Sequence, residues 1–128
     1  RAKRANAIPC VRLNGTSDLR WEDYGIIEKF NDIQFYDYTK IYNRRNIPSN
    51  YHLTFSRAES NQKQTLNAVV NGLNIAAVFR HELPKEYLGL KVINGDKHDL
   101  RFLDPKRACV GLIAKGKAKH DTSGFVLN

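Results

Sequence analysis

Methionine is missing from this 128-residue chain altogether, and cysteine occurs only twice, as Cys10 and Cys109. Without methionine even at the first position, we expect a piece of a longer gene product. Two cysteines so far apart, neither beside a second ligand pair, exclude a Cys-x-x-Cys zinc or iron–sulfur site within these residues. Both lie in apolar, strand-like surroundings and are expected to be buried thiols. A reducing, cytoplasmic compartment of a host cell is the matching expectation. No apolar run approaches the roughly 20 residues that span a bilayer, so no membrane is expected as a partner. The basic start, Arg1-Ala2-Lys3-Arg4, has no apolar stretch after it and is not read as a signal peptide.

Acidic residues are also in short supply. Thirteen Asp and Glu face 21 Lys and Arg, a net charge of +8. Between 97 and 119 the imbalance sharpens, with Lys97, Arg101, Lys106, Arg107, Lys115, Lys117 and Lys119 against Asp99 and Asp104. Such a stripe favours a polyanionic partner, because each neutralised phosphate releases counterions. The competing reading is a solvated face that keeps the protein soluble. The length suits one domain over 1–128 with a single core.

What is present in quantity is a repeated unit, a short apolar run ending in a polar cluster. Strands are expected at 8–13, 33–38, 51–56, 75–79, 91–93 and 108–114, with a last short one at 125–127. The polar clusters after them include Asn14-Gly15-Thr16-Ser17-Asp18, Asp37-Tyr38-Thr39-Lys40, Ser56-Arg57, Arg80-His81 and Asn94-Gly95-Asp96. A helix capped by Ser17 or Asp18 would carry Trp21, Tyr24, Ile27 and Phe30 on one face, with Gly25 weakening its middle. A second, capped by Ser60, would carry Leu66, Val69, Val70 and Leu73 and stop at Gly72. Residues 83–89 read as one helical turn between Pro84 and Gly89, and Pro48 rules out a central strand over 41–50. Helical crossovers imply an α/β fold, a mainly parallel open sheet or half-barrel. The alternative is α+β with antiparallel carboxyl-terminal strands. In a parallel sheet all the polar clusters fall along one edge, where α/β proteins build their sites.

Several of these stretches occur together in a known family: 11–18, Phe35-Tyr36-Asp37-Tyr38-Thr39-Lys40, 50–56, the long run 94–105, and 110–118. With them the chain resembles the carboxyl-terminal two-thirds of a family of uncharacterised proteins from phages and mobile elements. The resemblance implies a phage-type origin and an α/β fold, and it supplies no mechanism. Members of that family carry a further cysteine-bearing segment before the first strand. None is present here, so any iron–sulfur chemistry hung on it is not carried over.

Three functional readings follow from the residues. In the first, the protein binds nucleic acid or another polyanion through Lys40, Arg44, Arg45, Arg57, Arg80, Arg101, Lys115 and Lys117, with Tyr42 beside Arg44 and Arg45 as a stacking contact. No RNP, KH or helix-turn-helix signature accompanies it. In the second, Asp18, Asp37 and Asp96 serve phosphate or nucleotide chemistry at the strand ends with Lys40, and any two of the carboxylates brought together could share a Mg²⁺ ion, the cofactor being otherwise open. Gly15-Thr16-Ser17 could then hold a phosphate, although it lacks the P-loop pattern. Against this, Asp18 serves equally as a cap, and Asp96 and Asp104 as turn residues. In the third, the domain binds and blocks a host or viral protein. His52, His81, His98 and His120 have no metal-ligand spacing, and Ser56 lacks a nucleophile elbow.

Overall fold

The computed structural model describes residues 2–128, so only Arg1 of the basic start lies outside it. Eight strands form one sheet: β1 (Cys10–Val11), β2 (Gln34–Thr39), β3 (Tyr51–Ser56), β4 (Asn74–Phe79), β5 (Glu86–Tyr87), β6 (Leu90–Asn94), β7 (Ala108–Ile113) and β8 (Val126–Leu127). They lie in the order β1-β2-β3-β4-β7-β6-β5, with β8 added alongside β4. Every pairing is parallel except the β5–β6 hairpin. The sheet is open, since β1 pairs only with β2 and β5 only with β6. The α/β expectation holds, and the antiparallel element is confined to one hairpin.

That hairpin replaces the helical turn expected over 83–89. Leu88 and Gly89 both adopt positive φ, 50° and 73°, which a tight two-residue hairpin turn requires. Its benefit is a packed aromatic pair, the Tyr87 ring meeting Phe79 edge-on at 5.6 Å between centroids.

The first expected helix is divided. Residues Trp21–Tyr24 form a 3₁₀ turn, Gly25 takes φ 66°, and α1 (Ile26–Lys29) follows. Neither Ser17 nor Asp18 caps it; Arg20 stands at the cap position without a side-chain bond. The break turns Ile27 fully inward onto Phe35, Tyr51 and Leu53 and leaves Tyr24 and Phe30 outside.

The second helix, α2 (Gln62–Val70), is turned relative to the expected stripe. Its fully buried residues are Thr65 and Ala68, while Leu66 and Val70 are exposed. Small side chains let the helix sit close to the sheet. The Thr65 hydroxyl donates to the Asn61 carbonyl at 3.0 Å, which removes the cost of burying it. Gly72 ends the helix at φ 82°, as expected.

The pleat divides the sheet into two faces. One carries Phe55, Ile75, Ala77, Phe79 and Cys109 against α2, forming the main core. The other carries Tyr36, Tyr38, Val110 and Leu112, and is crossed by the segment 95–105. Gly95 lets that segment lie flat, because a Cβ there would come within 2.4 Å of Val110 Cγ1 and 2.9 Å of Leu112 Cδ2. Of the two cysteines only Cys109 is buried. Cys10 is exposed because it lies on the open face of the two-residue edge strand β1, whose Val11 packs the other way against the Ile27 and Phe35 core.

Candidate functional site at the carboxyl edge

Because β1, β2, β3, β4, β6, β7 and β8 all run the same way, the polar clusters after them share one edge. The turn after β1 is organised by Asn14, which is 3% exposed. Its Oδ1 accepts from Ser17 Oγ at 2.9 Å, from the Leu19 N–H at 3.1 Å and from Trp21 Nε1 at 2.9 Å. Its own N–H donates to Asp37 Oδ1 at 2.8 Å. The loop is therefore wound around one amide and pinned to β2. Asp18 ties its far end down, accepting from Thr39 Oγ1 at 2.7 Å and from the Lys40 N–H at 2.6 Å.

Asp37 is fully buried on the α1 side of β2. Tyr51 donates its hydroxyl to Asp37 Oδ2 at 2.6 Å, and burial raises the carboxyl above its ordinary range despite the bonds from Tyr51 and Asn14. Arg44 joins the same interior network, gripping Glu22 with Nε and Nη2 and reaching the Tyr51 hydroxyl at 3.2 Å. Burial is the largest single influence and pulls the other way, but the bonds and charges of Glu22 and Tyr51 together outweigh it and hold the Arg44 guanidinium charged. Asp96 lies elsewhere, accepting from the Ile113 N–H at 2.9 Å and from Lys115 Nζ at 2.6 Å. The Lys115 bond lowers its carboxyl. Asp18, 3.8 Å from Arg44 Nη1, and Asp37 thus border one network around Arg44, while Asp96 stands apart with Lys115. Among the described residues no three His, Cys, Asp or Glu side chains gather as metal ligands.

The basic residues divide into two populations. Arg44, Arg57 and Arg101 are buried, so they are not surface phosphate contacts as the sequence suggested. Arg57 Nη1 donates to the Gly124 and Phe125 carbonyls and holds the tail against β4. Arg80 performs a similar task, donating to Asn128 Oδ1 at 2.7 Å and to the carbonyls of Lys119 and Asp121. Arg101, 1% exposed, lies under 95–105, donating to the His98 carbonyl and standing 3.3 Å from Asp104 Oδ2 in an ion pair without hydrogen-bond geometry. Burial raises the Asp104 carboxyl. Tyr42 packs against the main core rather than standing free for stacking.

The second population is exposed: Lys40, Arg45, Lys97, Lys115, Lys117 and Lys119. Lys40 follows β2, Lys97 follows β6, and Lys115, Lys117 and Lys119 follow β7, all at the carboxyl edge. Lys106 and Arg107 precede β7 and lie at the opposite edge. The basic stripe of 97–119 is therefore split between two ends of the molecule.

Arg12, missed by the sequence reading, joins the edge directly after β1. Its guanidinium sits 5.0 Å over the Tyr38 ring and pairs with Asp99 at 3.1 Å, and Tyr38 donates to the same carboxylate at 3.1 Å. Burial first, with Asp99 adding to it, pushes the Tyr38 phenol up to about 12. The rule that found Lys40 would have found Arg12, had β1 been read as ending at Val11 rather than at residue 13. His52 lies toward the other end of β3 with its ring nitrogen 3.3 Å from Thr54 Oγ1, and burial lowers its affinity for a proton.

The family model for gene product 88 matches residues 1–128, and the chain belongs to that family. This agrees with the phage-type resemblance of its sequence. No curated protein and no solved structure matches it. Among the described residues no helix is long and apolar enough to cross a membrane.

Proposed function

We propose that this member of the gene product 88 family binds nucleic acid along the carboxyl edge of its sheet. The observation that carries the reading is a separation of charge by role. At that edge Lys40, Lys97, Lys117 and Lys119 stand in solvent, while the carboxylates of Asp18, Asp96, Asp99 and Asp121 are occupied. Asp18 holds the Lys40 N–H, Asp96 the Ile113 N–H and Asp121 the Val126 N–H. Lys40, Lys97, Lys117 and Lys119 have no ion-pair partner among the described residues. Unpaired ammonium groups at one edge are what phosphate contacts need, each releasing counterions on binding.

The enzymatic reading has less support, because its three carboxylates are spent on structure. A single-stranded partner fits better than a duplex, since among the described residues the longest helix, α2, packs on the sheet rather than standing free to enter a groove.

The test is fluorescence anisotropy with labelled single- and double-stranded oligonucleotides at two salt concentrations. Tighter binding of the single strand, falling steeply with salt, supports the reading. An absence of binding at low salt overturns it and makes the +8 charge a solubility feature.

A further inference from the structure

The carboxyl edge is not flat. Two hollows of about 270 and 300 Å³ adjoin there, sharing Arg12, Tyr38 and Ser56, and together they form one groove. Its origin lies in the strand register. On one side of β4, β3 pairs only as far as Ser56 opposite Ala76, and β8 takes over at Val126 opposite Val78. The two strands part at Arg57, and the sheet surface over Ala76, Val78 and Leu112 is left open.

The inner half of the groove has that apolar floor and two aromatic borders, Tyr38 and Phe125. The Tyr38 ring is fixed by Arg12 over its face and Asp99 at its hydroxyl. Arg57 stands at the inner end, 8% exposed, with its Nε meeting no acceptor among the described residues. An unpaired buried N–H of this kind is costly to leave without an acceptor. The outer half is polar, bounded by the exposed turn Gly15-Thr16-Ser17, by Lys40 and Arg12, and by Asp18, whose oxygens are taken up by Thr39, the Lys40 N–H and Arg44. No protein oxygen accepts from the N–H groups of that turn among the described residues. A flat apolar slot opening onto a cationic, donor-rich rim has the polarity of a base attached to its phosphate.

We infer that the groove seats one nucleotide unit, its planar base on the Ala76–Val78–Leu112 floor and its phosphate at Lys40 and the 15–17 turn. The inference rests on the nucleic-acid reading and sharpens it: one base of the bound strand leaves the stack and enters the protein. A free mononucleotide carries the same chemistry and would use the same contacts.

The test is calorimetric titration of the full chain with adenosine and uridine 5′-monophosphates, with ribose 5-phosphate as the base-free control. The groove account expects at least one mononucleotide to bind about tenfold or more tighter than ribose 5-phosphate. Ala76→Leu, which fills the floor, should abolish that preference, and Phe125→Ala should reduce it if Ala76→Leu fails to fold. In both variants the salt dependence of oligonucleotide binding should persist. Equal affinities for mononucleotides and ribose 5-phosphate, beside intact salt-dependent oligonucleotide binding, would overturn the groove and leave the edge reading standing. Selective mononucleotide binding without oligonucleotide binding would support the groove as a site for the free nucleotide and overturn the edge reading. Binding of neither would overturn both.

Discussion

Tyr51, at the start of β3, donates its hydroxyl to Asp37 on β2 at 2.6 Å, and Arg44 reaches the same oxygen at 3.2 Å. This bridge fixes the meaning of Asp37. A carboxylate with its lone pairs spent on Asn14 and Tyr51, and no surface exposed, holds the turn after β1 to the sheet. It positions the edge without touching what binds there.

Asp37→Asn should therefore lower stability and leave nucleic-acid affinity of the folded protein unchanged. Turning one acceptor into a donor against the Tyr51 hydroxyl costs about 1–3 kcal/mol. The pH dependence has a definite sign. Burial raises the Asp37 carboxyl, so its contribution is fully present below the unfolded value of 3.8 and is lost as pH rises through the higher folded value. Urea melts from pH 3.5 to 7 should show the deficit of the variant shrinking as pH rises. A large loss of affinity with unchanged stability would return Asp37 to a binding or catalytic role.

Glu22→Gln removes one partner of the buried Glu22–Arg44 pair, whose side chains are 2% and 1% exposed. With only Asp18 Oδ1, 3.8 Å away, left as a charged partner of the buried guanidinium, the loss should be about 3 kcal/mol. Burial acts to raise the Glu22 carboxyl, but the bonds and charge of Arg44 lower it overall. Its contribution is therefore present above the unfolded value of 4.5 and lost as pH falls through the lower folded value. Thermal melts should show this part of the acid limb in the parent and not in the variant.

The thiols should behave unequally. Cys10 is exposed and Cys109 buried, with burial pushing the Cys109 thiol up to about 12. A thiolate-specific chromogenic reagent should modify one thiol promptly in the native protein and the second only in denaturant. Prompt modification of both would show that β7 is not a closed central strand.

The strand ends were legible because periodicity and polar punctuation are local. Tyr51–Ser56 was read to the residue, and the shared edge followed from parallel pairing. The fate of each arginine was not local. Arg57 is held by carbonyls 67 and 68 residues away, Arg44 by a carboxylate 22 residues away, and nothing beside either announces burial. The face of α2 was misjudged for a related reason. Thr65 and Ala68 are inward because the helix lies close to the sheet, a distance that hydrophobic spacing does not encode. Pro84 precedes Leu88-Gly89 at a spacing that suits a helical turn and a hairpin equally, so the spacing does not separate the two.

The most direct test of the account compares two sets of three lysines. Lys40, Lys97 and Lys117 lie at the carboxyl edge; Lys29, Lys91 and Lys106 lie at the opposite one, and all six are exposed. Each set is replaced by glutamine, and affinity for a single-stranded oligonucleotide is followed against salt. The two triple variants carry the same net charge. The account expects the carboxyl-edge variant to lose about 2 from the slope of log affinity against log salt, at roughly 0.7 per phosphate contact. The opposite-edge variant should keep its slope. Equal losses in both would show that net charge, and not this edge, governs binding.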